Sequence, residues 1–134
     1  MKNLFPLILA FFLFFSCDEE NTSIQPKIPP ELIGKWKVIA IYDTYGGSSP
    51  EWRTYYTGKE YDIWFKSNSE FTVTDPIDTC NLGEYSVSAD MQITYENPCY
   101  ETSIVTIVSL NAELLIIDAN HFEYMKTKYI KVID

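Results

Sequence analysis

The chain has 134 residues and a formal net charge of −9, from 10 Lys and Arg against 19 Asp and Glu. That length fits one domain once a leader is set aside, and so acidic a surface repels phosphate backbones, which argues against nucleic acid as a partner. Ten Tyr and three Trp suit β-structure with a real core.

Met1-Lys2-Asn3 is a short n-region with one positive charge, and Leu4 to Phe15 is an apolar run of secretory-signal length. The run ends at Phe14-Phe15-Ser16-Cys17. This junction resembles a lipobox, the site at which a bacterial lipoprotein is acylated on Cys and cut just before it. Ser16 supplies the small residue before the cut, while Phe14 and Phe15 depart from the usual smaller or aliphatic residues. The plainer alternative is an ordinary signal peptide with a chance cysteine. Residues 1–16 are thus expected to be a signal peptide, with Cys17 as the lipidation site. Residues 17–30 form a tether, acidic at Asp18, Glu19 and Glu20 and stiffened by Pro26, Pro29 and Pro30. Residues 31–134 form the folded domain.

The first strand is expected from Leu32 to about Asp43, LIGKWKVIAIYD. Trp36, Val38, Ala40 and Tyr42 alternate along it, the period of a strand with one buried face. Thr44 to Lys59 reads as a long aromatic connection, with turn formers at Gly46, Gly47 and Pro50. Tyr61, Ile63 and Phe65 alternate next, then Phe71 and Val73 after the Ser67-Asn68-Ser69 turn. Tyr85 and Val87, then Met91, Ile93 and Tyr95, mark a further hairpin. Ser103 to Leu110 and Glu113 to Asp118 are apolar on both faces, so periodicity does not assign their inner sides. A last strand runs from His121 to about Val132, with a bulge expected near Thr127. The sum is an all-β, up-and-down antiparallel meander of about eight strands closed into a barrel, with a β-sandwich as the alternative.

Cys80 and Cys99 flank the second hairpin, at strand ends that an antiparallel pairing brings together. In an exported protein they are expected to form a disulfide, with two free thiols as the alternative.

Gly34-x-Trp36 at the start of the first strand, the lid-like connection and the meander together resemble the lipocalin-like group over roughly Leu32 to Asp134. With the lipobox, the chain is similar to the lipocalin-like lipoproteins of Bacteroides-type bacteria. The resemblance implies that Trp36 packs across the closed barrel end beneath a basic side chain from the last strand, with Lys126 or Lys128 in that role. It also implies an outer-membrane lipoprotein exposed at the cell surface, since an acidic cluster after the lipidated Cys resembles the export signal of those bacteria. The alternative orientation faces the periplasm.

Catalytic chemistry has little footing. His121 is the sole histidine and has no nucleophile motif beside it. Asp75-x-x-Asp78 lacks the glycine and distal Glu of a calcium loop. No enzyme, cofactor or metal is expected. The best binding candidates are aromatic and cationic groups of the lid: Tyr42, Tyr45, Trp52, Arg53, Tyr55 and Tyr56. The expected function is to hold a small apolar or amphipathic ligand in the barrel mouth, on a membrane anchor. The rival is a filled barrel acting as a surface interaction protein, such as a hydrolase inhibitor or an accessory subunit of an envelope complex.

Overall fold

A computed structural model describes residues 27–44, 47, 49–74, 80–119 and 125–133. Cys17, Tyr45, Asp75, Asp78 and His121 lie outside the described residues. Among the described residues nine strands follow in order: β1 (Gly34–Asp43), β2 (Glu51–Thr54), β3 (Ile63–Phe65), β4 (Glu70–Val73), β5 (Leu82–Val87), β6 (Gln92–Asn97), β7 (Tyr100–Leu110), β8 (Leu114–Asp118) and β9 (Lys126–Lys131). Each strand from β3 to β9 pairs with the next, and β9 pairs back onto β1. Eight antiparallel strands therefore close into a barrel rather than a sandwich, and closure removes the exposed edges of an open sheet.

β2 is the addition. It lies inside the stretch expected to be a lid, and its polar sequence EWRT carries no hydrophobic alternation to announce it. It pairs antiparallel with the second half of β1, from Ala40↔Thr54 to Asp43↔Glu51. β3 takes the first half of the same edge, from Gly34↔Phe65 to Trp36↔Ile63. The Asp62 carboxylate fills the junction between them, accepting from the Val38 N–H at 2.7 Å and from Thr57 Oγ1 at 3.3 Å.

Of three register shifts among the described strands, those in β1 and in the second half of β7 decide which side chains point inward; the third lies between Tyr95 and Asn97, at the cavity rim. Val38 pairs with Tyr129 but Ala40 with Lys128, so β1 carries one extra residue, Ile39. Because strand side chains alternate, one inserted residue inverts every face beyond it. Trp36 and Val38 are buried, as expected. Ala40 and Tyr42 are turned to the outer wall, against the single inward face expected for all four. In β7 the register shifts between Ile107 and Ser109, leaving Val108 exposed and Ile107 buried. That bulge is why no single period described Ser103 to Leu110. Tyr61 also departs from the Ile63 face: its ring meets Trp64 edge-on at 6.4 Å, outside the barrel.

The core is formed by Leu32, Trp36, Ile63, Phe65, Phe71, Tyr85, Val87, Ile93, Ile107, Leu115 and Ile117. Phe65, Phe71, Tyr85 and Tyr95 interlock, with Phe65–Tyr85 at 5.0 Å and Phe71–Tyr95 at 5.1 Å, both near edge-to-face.

The end of the barrel where β1 begins is sealed. A turn donates from Leu32 N to Pro29 O at 3.0 Å and drops Leu32 into the core. Trp36 Nε1 donates to Leu32 O at 2.7 Å, so the indole is fully buried with its one donor satisfied. Lys131 lies with its ammonium 5.0 Å from the Trp36 ring centre and donates to Glu31 O at 2.7 Å. Burial lowers its pKa, against the opposing pull of Glu31. Gly34 is favoured here by its φ of +136°; an added Cβ would also meet Lys131 Cε at 2.6 Å and displace that side chain from the Trp36 ring. The basic partner of Trp36 is therefore Lys131. Lys126 and Lys128, expected in that role, pair with Tyr42 and Ala40 beyond the bulge and point away from the interior.

Candidate functional site

The opposite end holds a cavity of about 320 Å3 between the inner faces of the wall. Its sides are Ile63, Phe71, Val73, Val105 and Ile117; Tyr95, Ser103, Thr127 and Tyr129 add hydroxyls; Cys80, Asn97, Tyr100, Glu101 and Ala119 lie at the rim. Register explains the set. Tyr95 faces Ser103 directly, Ile93 faces Val105, and Ile117 faces Thr127, so one alternate row from each of four strands converges.

The tyrosines are tuned by the enclosure. Burial pushes the Tyr95 phenol well above its ordinary range, helped by Tyr129 and Tyr85 nearby. Burial also pushes Tyr129 up to about 12, with the Asp62 charge adding to it and a hydrogen bond with Thr127 opposing it. Tyr85 is raised to about 12 by burial, and its hydroxyl donates to Lys66 O at 2.8 Å. All three stay neutral at any physiological pH. Tyr85 commits its O–H to Lys66 O and lies outside the cavity lining, whereas Tyr95 and Tyr129 line it among apolar groups, an environment suited to orienting a ligand by one or two hydrogen bonds.

The rim is strapped by the Cys80–Cys99 disulfide, with a Cα separation of 5.8 Å. Asn97 locks the strap: its Nδ2 donates to Cys80 O at 2.8 Å and to Leu82 O at 3.0 Å, while its Oδ1 accepts from Cys99 N at 2.8 Å. The pairing expected from hairpin geometry is thus formed.

The aromatic lid residues are brought together elsewhere. Tyr42 and Trp52 are cross-strand partners with ring centres 5.3 Å apart. They stand on the outer wall, where Lys128 Nζ lies 4.2 Å from the Trp52 ring centre and Lys126 Nζ 5.7 Å from that of Tyr42. Arg53 lies 3.5 Å from Asp43 and 3.3 Å from Glu51. Tyr55 and Tyr56 follow β2 and are exposed. None of these five lines the cavity; Tyr45 lies outside the described residues. The polar lining that sequence reasoning passed over, Ser103, Thr127 and Tyr129, had one available signal. In KTKYIK the lysines at 126 and 128 alternate with Thr127 and Tyr129, and two unpaired lysines do not share a barrel interior.

A second, larger cleft of about 610 Å3 opens on the outside of β4–β6, beside Leu82, Gly83 and Pro98. Glu70, Glu84 and Glu96 sit in register across it, and like charges directly opposite one another are unfavourable without a counter-charge. Lys66 meets Glu70 at 3.2 Å. Among the described residues no three His, Cys, Asp or Glu side chains gather closely enough to hold a metal.

Comparison with known proteins adds no relative: no family model, no curated protein and no solved structure matches this chain.

Proposed function

We propose that this barrel carries a small amphipathic ligand in its open-end cavity and is held at a membrane by an acyl group on Cys17. The carrying observation is the cavity itself: apolar walls, five hydroxyl-bearing side chains, Tyr100 among them at the rim, and a volume of about 320 Å3. That volume is at the lower end of the usual range for ligand sites, roughly 300–1,000 Å3, and it favours a compact ligand over a long chain. A hydroxyl, carbonyl or carboxyl on that ligand would meet Tyr95 or Tyr129, and its apolar remainder would lie against Val105 and Ile117. The lipid anchor rests on the Ser16-Cys17 junction, the apolar run before it and the acidic, proline-rich tether after it.

The test is a thermal-shift and calorimetric screen of small amphiphiles against the wild-type chain and Val105→Trp. The indole would occupy the cavity, so any stabilising compound should lose its effect in the variant while the barrel still folds. Equal stabilisation of both chains would place the ligand elsewhere. For the anchor, Cys17→Ala should abolish incorporation of radiolabelled palmitate.

The rival reading, an interaction protein with a filled barrel, draws on the interlocked Phe65, Phe71, Tyr85 and Tyr95 rings. Of these rings Phe71 and Tyr95 themselves bound the cavity, whose space continues to Val105, Ile117 and Tyr129.

A further inference from the structure

The outer wall across β9, β1 and β2 differs from the rest of this acidic molecule. Pairing sets its rows: Lys37 lies opposite Ile130, Ala40 between Lys128 and Thr54, and Tyr42 between Lys126 and Trp52. The β1 bulge is what brings Tyr42 to this side. Three ammonium groups rest against rings: Lys128 on Trp52 at 4.2 Å, Lys37 on Tyr56 at 5.3 Å and Lys126 on Tyr42 at 5.7 Å. Tyr56 is 77%, Ile130 41% and Trp52 38% exposed. Asp118, opposite Lys126, is the acidic neighbour in these rows.

We propose that this wall is a docking face for an anionic lipid surface. Four observations select that occupant. The charge is complementary and locally reversed from the net −9 of the chain. The cations are all lysine, which protein–protein interfaces disfavour and arginine replaces there, whereas a negatively charged leaflet attracts lysine clusters directly. The wall is the convex outside of a barrel, fitted to a broad surface. The Trp52 ring already carries the Lys128 ammonium and the tilted Tyr42 ring, which leaves it poorly placed to stack on a sugar. Trp and Tyr settle at the headgroup level of bilayers, and lysine stems lie along apolar surface while their charges reach outward. The face is independent of the cavity and of the lipid anchor.

The experiment is flotation of the whole chain with phosphatidylcholine vesicles and with vesicles of phosphatidylcholine plus phosphatidylglycerol. The leader, with its Lys2, is common to the wild type and the variants, so the change in the anionic-to-neutral ratio on substitution reads the wall. The wild type should prefer anionic vesicles and lose that preference between about 0.1 M and 1 M salt, as screening shortens from roughly 10 to 3 Å. Lys37→Glu, Lys126→Glu and Lys128→Glu together should cut the anionic preference by roughly a hundredfold with an unchanged circular dichroism spectrum. The corresponding Gln triple carries the same test where the Glu triple does not fold. Equal partition of the wild type onto both vesicles, or wild-type preference in a folded triple variant, would overturn the proposal. Lysine-dependent binding of soluble poly-glutamate without vesicle preference would also overturn it and assign the face to an acidic protein.

Discussion

The two ends of the barrel use the same strands to opposite effect. At the sealed end polar groups are tied within the chain: the Trp36 indole N–H donates to Leu32 O and the Lys131 ammonium to Glu31 O. Leu32 and Trp36 are fully buried there. At the open end the inner faces of the strands bound the cavity, and Tyr95, Ser103 and Thr127 line it. Density at one end holds the fold together, which lets the other end keep space and polar groups that add little to stability. The disulfide and the Asn97 clamp supply at the open rim what packing supplies at the sealed one.

The largest way to break this contrast is Trp36→Ala. Truncating a fully buried aromatic should cost about 3–5 kcal/mol, enough to unfold much of the population of a small domain, read by urea unfolding. A loss under about 1 kcal/mol, the scale of ordinary surface changes, would mean the sealed end does not carry the fold. Next is the strap. Cys80 and Cys99 are 19 residues apart, and replacing both by Ser should cost about 3 kcal/mol in the chain-entropy model. Amide exchange in the double variant should rise first in Leu82–Val87 and the start of β7, with the core around Trp36 still protected.

Lys131→Met tests the sealed end more finely. It removes the ammonium from the Trp36 ring and from Glu31 O but keeps most of the stem, and should cost about 1 kcal/mol. Lys126→Met and Lys128→Met should cost less than Lys131→Met, because their rings lie on the outer wall. Equal losses at all three would contradict the assignment of Lys131.

A last test uses pH. Tyr85 and Tyr129 are raised from 10.0 to about 12 in the fold, and Tyr95 rises with them. The native state therefore holds more protons than the unfolded chain between pH 10 and about 12, so stability is level below pH 10 and falls as pH rises through that window. Tyrosinate absorbance should show an early class from exposed residues such as Tyr56 and a late class that ionises only with unfolding. Tyr129→Phe should shrink the late class.

Much of this architecture was legible because buried strands announce themselves by alternation: Ile63 and Phe65, Tyr85 and Val87, Ile93 and Tyr95 all point inward as their period requires. The strap was legible because an antiparallel hairpin puts the residues just outside its two ends side by side. The inward placing of Tyr42 and the open inner face of β7 share one cause. A bulge at Ile39 and another at Val108 each insert one residue and invert the faces beyond it, and composition carries no sign of an inversion. Tyr42 was therefore placed inside, and the inner face of β7 stayed unassigned. β2 escaped because it is short, polar and held by backbone pairing along β1. The lid aromatics were recognisable as a group, but their side of the wall depended on that same inversion. The cavity lining escaped because Ser103, Thr127 and Tyr129 belong to the strands whose register only pairing fixes.

The most direct measurement is native mass spectrometry of the full chain isolated from its own host without denaturation, run beside Val105→Trp prepared identically. The cavity account predicts a discrete added mass on the wild type, released on denaturation and absent from the variant. An added mass retained by the variant, or a wild-type chain that carries none and gains none from the amphiphile panel, would contradict it.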